Sequence, residues 1–173
     1  MTKKGKAPDT RDYFAELYVA GMFGDAGWAV YFPKRDVGFD FVATKPVSGQ
    51  MLLRPVQVKG KYPVKDGKDG IFGYRGRLNA VHPDMVLVMP FFDADVRGAA
   101  PSQIAFLPFT ALRPNPKGYR IAPAKFVSNR VKRRREYEHY FGEAGLLAVE
   151  SAAWNKVPIL DNSSESDDVQ MET

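Results

Sequence analysis

Two stretches of alternating apolar and polar residues, one on each side of a tight turn, constrain the fold of this chain more than any other feature. The first runs from Val37 to Thr44 and the second from Met51 to Lys59, with Ser48-Gly49 between them. Such alternation is typical of a half-buried strand, and a short connection containing Gly is typical of a β-hairpin. A two-residue turn at Ser48-Gly49 would pair residues whose numbers sum to 97. The sequence therefore predicts an antiparallel hairpin with a defined register.

Three polar side chains are predicted to share one face of this hairpin, namely Asp40, Gln57 and Lys59. Successive residues of a strand point to opposite faces. Asp40 therefore points away from its two phenylalanine neighbours, and Gln57 and Lys59 point away from the neighbouring valines. Asp40 and Gln57 satisfy the register sum, so they should lie directly across the hairpin with Cβ atoms about 5 Å apart. Lys59 follows one pleat further along the same face.

This set of side chains suits metal-dependent cleavage of a phosphodiester. Mg²⁺ prefers hard oxygen ligands, usually takes one or two carboxylates, and leaves the rest of its shell to water and phosphate. A metal held by Asp40 and the amide oxygen of Gln57 would polarise the phosphoryl group and help to activate a water. Lys59 could stabilise the developing negative charge or position that water. The alternative interpretation is a half-buried hairpin whose outer face is simply polar.

A predicted helix before the hairpin supplies a fourth candidate, Glu16. Apolar residues cover nearly every direction of the segment from Thr10 to Asp25, and Gly24 and Gly27 can end it, so the helix is predicted to be largely buried. Glu16 is the only charged residue at positions 13–24. A buried carboxylate is costly unless it is paired or bound to a cation. We therefore expect Glu16 to join the site; the alternatives are that it faces solvent or pairs with a lysine or arginine.

The rest of the chain suggests further strands and one more helical region. Strands are predicted at Trp28 to Phe32, Met85 to Met89 and Gln103 to Leu107. Residues 60–80 contain five glycines and many basic residues, and they are predicted to form a mobile surface loop with a short strand at Ile71 to Tyr74. Residues 124–145, which include a basic run, are predicted to be helical.

Composition excludes several classes of protein and leaves nucleic acid as a candidate ligand. The absence of cysteine excludes disulfides and thiolate zinc sites, and two histidines leave little for a histidine-based site. No apolar run approaches the roughly 20 residues of a membrane span, and the basic start lacks the apolar stretch of a secretory signal. We therefore expect an intracellular, cytoplasmic protein that does not associate with membranes.

The charge is unevenly placed along the chain. Residues 161–173 hold five acids and no Lys or Arg, whereas the remaining 160 residues carry 25 basic and 15 acidic side chains, a net charge of +10. A basic body suits a polyanion because neutralised phosphates release counterions, although many basic proteins bind no nucleic acid. We expect a flexible basic arm at residues 1–9, a single domain at 10–157 and an acidic, disordered tail at 158–173.

Taken together, these motifs resemble the PD-(D/E)XK nuclease superfamily. The resemblance is carried by Phe14-Ala-Glu-Leu-Tyr-Val-Ala, Gly27-Trp, Phe39-Asp-Phe and Val56-Gln-Val-Lys-Gly60. The later Asp84-Met-Val-Leu-Val and Ile104-Ala-Phe-Leu-Pro strands are also similar. The layout is closest to homing endonucleases associated with group I introns and to related small bacterial domains, and it covers roughly residues 10–110.

The resemblance implies a fold, a reaction and a set of site residues. The fold would be α/β: a restriction-endonuclease-like core with a mixed β-sheet of about four to five strands flanked by helices. The reaction would be DNA hydrolysis with Mg²⁺ or Mn²⁺ by a homodimer or higher homo-oligomer of bacterial or phage origin. Asp40 would match the metal-binding Asp, Lys59 the catalytic Lys and Glu16 the helix-borne acid. Gln57 departs from the commoner Glu or Asp, although some members also use Gln, so a catalytically inactive DNA-binding protein stays open as the alternative.

Basic residues near the expected site and in the basic run are candidates for DNA contact. The candidates are Lys61, Arg75, Arg77, Lys132, Arg133, Arg134 and Arg135. Arginine and lysine bind phosphate, and arginine also recognises base edges. For the run at 132–135 the alternatives are a nuclear-import signal or a solvated helix face. A third possibility for the whole chain is an interaction protein that uses its acidic tail.

Overall fold

The computed structural model describes residues 10–35, 37–63, 70–78, 80–93, 98–128, 130–151 and 153–154. The predicted basic arm and acidic tail lie outside these residues. Two α-helices and nine strands follow the chain in this order: α1 (Thr10–Asp25), β1 (Ala29–Tyr31), β2 (Phe41–Val47), β3 (Gln50–Val58), β4 (Gly70–Gly76), β5 (Val86–Phe91), β6 (Gln103–Pro108), β7 (Arg113–Asn115), β8 (Gly118–Val127), β9 (Arg130–Arg133) and α2 (Gly142–Ala148). Short 3₁₀-helices cover Phe109–Ala111 and Arg135–Tyr140.

Five strands form a central sheet in the order β1-β2-β3-β5-β6. Strands β3 and β5 run parallel, and the other neighbours are antiparallel. The predicted α/β fold, with a mixed sheet of four to five strands flanked by helices, is confirmed. A second, antiparallel sheet in the order β4-β8-β7, with β9 also paired to β8, was not predicted.

The predicted hairpin has the expected register. Phe41 pairs with Val56 and Val47 with Gln50, so cross-strand partners sum to 97 along its whole length. The turn residues Ser48 and Gly49 both have positive φ, 50° and 78°, as the preferred two-residue hairpin turns require. The first strand begins four residues later than predicted, at Phe41, and extends to Val47.

Helix α1 has the predicted bounds but is less buried than predicted. Gly27, with a φ of 82°, ends it: the amides of Gly27 and Trp28 donate to the carbonyls of Gly24 and Phe23, which is a Schellman motif. Phe23 is fully buried and contacts the rings of three core aromatics: Trp28, Phe41 and Phe106. The outer face is open, with Tyr13 59% and Leu17 45% exposed, so the prediction of a largely buried helix is wrong there. No helix among the described residues is long and apolar enough to cross a membrane.

The prediction of a helix at residues 124–145 is wrong for most of that range. Its beginning completes β8, and Arg130–Arg133 forms β9. Ala124 and Phe126 are buried while Lys125 and Val127 are exposed, which is the period of a strand. The basic composition favours a helix locally, but pairing with β4 and β9 decides the outcome. Only Gly142–Ala148 is α-helical.

Candidate active site

Asp40 and Gln57 are held together at the open end of the hairpin. The Asp40 amide donates to the Val56 carbonyl at 2.9 Å, so pairing continues one residue beyond β2. The Asp40 carboxylate accepts bonds from the Gln57 amide nitrogen at 2.9 Å and from the Val58 backbone amide at 2.5 Å. Both bonds use Oδ2. The other carboxylate oxygen, Oδ1, and the amide oxygen of Gln57 are therefore the acceptors available to a ligand.

Lys59 and Lys61 are positioned by an extension of the parallel pairing between β3 and β5. The Lys59 amide donates to the Val88 carbonyl at 2.9 Å and the Lys61 amide to the Pro90 carbonyl at 2.8 Å. The extended backbone keeps the side chains of Gln57, Lys59 and Lys61 on one side. Burial lowers the pKa of Lys61, and the charge of Lys59 lowers it further. The two ammonium groups are therefore close enough to repel one another.

Helix α1 carries Glu16 close enough for its charge to interact with those of Asp40 and Lys59. Partial burial is the main cause that raises the pKa of Glu16 to about 7; the charge of Asp40 contributes to the rise and that of Lys59 opposes it. Asp12, one helical turn earlier, also raises the pKa of Glu16 and acts on Asp40 and Lys61. Sequence reasoning missed Asp12, although residues four apart share a helix face.

A pocket of about 210 Å³ opens over the hairpin face. Three of the predicted residues line it, namely Asp40, Gln57 and Lys59, together with Gly38, Tyr74, Arg77 and Leu78. The last three come from the end of β4 and the residues after it, so the second sheet supplies one wall. The Tyr74 hydroxyl donates to the Arg77 carbonyl at 2.8 Å. This wall is a contribution that sequence reasoning did not find, apart from Arg77.

The donor set fits a hard divalent cation that keeps part of its water shell. Burial raises the pKa of Asp40 even though two hydrogen bonds and Lys59 act in the opposite direction, and that of Glu16 is raised for similar reasons. A bound cation would relieve both effects. No three Asp, Glu or His side chains of the described residues are grouped closely enough to hold a metal by themselves. Two carboxylates and one amide oxygen match the small number of protein ligands that Mg²⁺ usually takes.

The predicted DNA-binding residues fall into two groups. Arg75, Arg77, Lys132 and Arg135 are exposed. Lys61, Arg133 and Arg134 are partly buried, and the two arginines among them have charged or polar partners within the protein. Arg133 donates to Gln103 at 2.7 Å and Glu138 at 3.1 Å and stacks on Phe141. Arg134 pairs with Glu136 at 2.8 Å. Because the run lies on β9 and the turn after it, its side chains alternate in direction and do not form one basic helix face.

Glu16 predicts how the stability of the metal-free protein depends on pH. The unfolded group titrates near 4.5 and the folded group near 7, so the folded state binds more protons between these values and loses stability as pH rises through this window. We expect Glu16→Gln to be more stable than wild type at pH 8 by about 1 kcal/mol, after allowance for solvent screening, and equal to it below pH 4.5. Urea unfolding in EDTA measures this, with exposed Glu143→Gln as the control. A wild-type pH dependence that persists in Glu16→Gln would contradict the assignment.

Comparison with known proteins identifies the fold. No family model matches the sequence, and no curated protein is similar to it. Among solved structures, the bacterial homing endonuclease I-Ssp6803I is similar to this chain, with a TM-score of 0.50 and 19% sequence identity. The similarity covers 88% of this chain and 100% of that chain. The two proteins therefore share a nuclease-type fold over most of their lengths.

Proposed function

We propose that this chain is a metal-dependent DNA endonuclease of the PD-(D/E)XK type that hydrolyses phosphodiester bonds. The observation that carries the proposal is the pocket in which Asp40, hydrogen-bonded to Gln57, lies beside Lys59. Glu16 is within electrostatic reach of Asp40 and Lys59. The fold shared with a homing endonuclease is consistent with this activity.

The polar residues of the hairpin face and Glu16 each have a role in the proposed reaction. Asp40, Glu16 and the Gln57 amide oxygen would hold Mg²⁺ or Mn²⁺, which would polarise the phosphoryl group when bound. Water adds its oxygen to phosphorus and gives up a proton to solvent, while the bond from phosphorus to one sugar oxygen breaks and that oxygen takes up a proton from solvent to become a hydroxyl group. Lys59 stabilises the negative charge that develops on the phosphoryl oxygens. Val58 and Gln57 fix the orientation of Asp40 through their hydrogen bonds.

Gln57 supports a second candidate function, a nuclease-fold protein that binds DNA without cutting it. An amide supplies an oxygen but no negative charge, so the site holds a cation less strongly than one with a third carboxylate. The two functions can be distinguished by incubating the protein and supercoiled plasmid with Mg²⁺, Mn²⁺ or EDTA. Metal-dependent conversion to open-circular or linear DNA supports the endonuclease. Retention of the plasmid in a gel-shift assay with no cutting in either metal supports the binding protein.

Replacing Gln57 by Glu is expected to lower the metal concentration needed for cleavage. The substitution restores a carboxylate next to Asp40 and Glu16 and has nearly the same shape. We expect half-maximal cleavage at about tenfold less Mg²⁺, which corresponds to about 1.4 kcal/mol. The measurement is a Mg²⁺ titration of plasmid cleavage, with the exposed Gln50→Glu on the same hairpin as the control for added charge. An unchanged requirement in Gln57→Glu would argue against Gln57 as a metal ligand.

The proposal includes a homodimer or higher homo-oligomer. Cutting both strands of a duplex requires two sites, and each chain supplies one pocket of this composition. Sedimentation of the protein with and without duplex DNA tests this. A chain that stays monomeric in both conditions and nicks only one strand per binding event would contradict the oligomer while leaving the cleavage chemistry intact.

A further inference from the structure

The exposed face of the second sheet carries a row of arginines across three strands. Arg75 of β4 pairs with Arg120 of β8, and Arg120 pairs on its other side with Arg113 of β7. All three are exposed. Neighbouring strands lie about 4.8 Å apart, so the row is about 10 Å long. Like charges directly opposite one another on a sheet destabilise it.

A second basic row lies further along β8 on the same face. Lys125 pairs with Lys132 of β9, and both are exposed. The pairing of β4 with β8 shifts register between Phe72 and Tyr74, where β8 has one extra residue, so Arg120 and Lys125 face the same way although they are five positions apart. Their partners on β4 are four positions apart, so the two rows lie about 13 Å apart along the strands. Together they form one basic surface.

The strands that form this surface contain no acidic residue. Across β4, β7, β8 and β9 there are seven Arg and Lys residues and no Asp or Glu. The opposite face of the sheet is apolar and buried in the core through Ile121, Ala124 and Phe126.

We propose that the exposed face of the second sheet is a docking surface for duplex DNA, built on the row Arg75, Arg120 and Arg113. This inference rests on the proposed function for its choice of ligand. Arg77, which lines the pocket, follows directly after β4 and is two residues from Arg75. The end of β4 that carries Arg75 is therefore the end next to the pocket. The surface binds phosphates that flank the one being cut.

Phosphates on a polymer explain the arrangement better than a small anion does. A single anion needs one convergent cluster. These residues instead form two rows on an exposed strand surface, with the spacing of neighbouring strands. Repeated phosphates match repeated guanidinium and ammonium groups, and release of their counterions makes the binding favourable. Antiparallel sheets also bind DNA in other proteins through strands placed against its grooves.

The test measures DNA affinity and its salt dependence in EDTA, so that no cleavage occurs. We expect Arg120→Gln to weaken binding of a labelled duplex about five- to tenfold and the triple Arg75→Gln/Arg113→Gln/Arg120→Gln variant about 100-fold. Affinity decreases as salt rises, and between about 50 and 200 mM salt the steepness of this decrease, measured as log affinity against log salt, should be reduced by about one for each arginine removed. Arg120→Lys should keep the slope. Gln50→Glu, at the far end of the β2–β3 hairpin, makes the same change in charge and should alter binding less than twofold.

The outcomes separate this inference from the proposed function. Unchanged affinity and slope in Arg120→Gln, in a chain that cuts DNA, overturn the docking surface and leave the endonuclease intact. Loss of affinity in that variant, in a chain that cuts no DNA in any metal, supports the surface and overturns the endonuclease. Tighter binding of duplex RNA than of duplex DNA overturns the choice of ligand. Thermal unfolding of each variant identifies any variant that loses affinity through unfolding.

Discussion

Lys59→Ala is expected to lower the rate of DNA cleavage by about 10²- to 10³-fold, the usual effect of removing one group that stabilises transition-state charge. The Lys59 backbone is fixed by its bond to the Val88 carbonyl, so its ammonium group is presented to the pocket by the strand itself. The charge of Lys59 acts on both Asp40 and Glu16. DNA affinity should change less than fivefold, because Lys59 lies in the pocket and outside the basic surface of the second sheet.

Single-turnover cleavage of a labelled duplex measures this rate without interference from product release. Lys61→Ala is the matched control: it removes the same charge two residues away, and Lys61 is not among the residues that line the pocket. We expect it to slow cleavage by no more than about tenfold, which is the effect of a weakened phosphate contact. Lys59→Arg should recover part of the activity. Cleavage by Lys59→Ala within threefold of the wild-type rate would remove Lys59 from the mechanism.

The largest expected effect on stability belongs to Arg54, on the opposite face of the same strand. Arg54 is 4% exposed, and it donates to the carbonyls of Val149 at 3.0 Å and Ser151 at 2.9 Å. It therefore attaches the segment after α2 to the back of β3. Arg54→Ala leaves two carbonyls without their donor and opens a cavity, so we expect a loss of about 3–4 kcal/mol.

Thermal unfolding tests this prediction, with an expected fall of about 10 °C in the midpoint for a chain of this size. Arg135→Ala, at an exposed position, should change stability by less than about 0.5 kcal/mol. Arg54 and Gln57 point to opposite faces of β3. At temperatures well below the unfolding midpoint of the variant, the cleavage rate per folded molecule should therefore stay within about threefold of wild type. A loss of less than 1 kcal/mol would show that the attachment does not depend on Arg54.

The hairpin could be predicted from the sequence because its determinants are local. Ser48-Gly49 sets the register, and strand alternation then places Asp40 opposite Gln57 without reference to the rest of the chain. The helix at Thr10–Asp25 was predictable for the same reason, since Gly27 ends it through a local motif. These elements contain the residues of the candidate site on which the proposed function depends.

The place of β4 in the second sheet could not be predicted, because β4 pairs with a distant segment, β8. The pairings of β7 with β8 and of β8 with β9 are local: Asn115 pairs with Gly118 and Val127 with Arg130, so each is a hairpin with a two-residue connection. The interpretation of residues 124–145 as a helix overlooked these signals, and the alignment of Arg113 with Arg120 follows from spacing along the chain in the same way as that of Asp40 with Gln57. Asp12 was missed for a different reason: its effect on Glu16 depends on which face of α1 meets the hairpin.

Plasmid cleavage with Mg²⁺ by wild type, Asp40→Ala and Asp25→Ala shows whether DNA is cut at the pocket that contains Asp40. Asp25 is an exposed acid at the far end of α1, so it controls for loss of a carboxylate. We predict metal-dependent cutting by wild type and Asp25→Ala, and no cutting above background by Asp40→Ala. The Asp40→Ala protein is first shown to be folded and to bind DNA. Equal cutting by Asp40→Ala, or no cutting by wild type with either Mg²⁺ or Mn²⁺, would contradict the account.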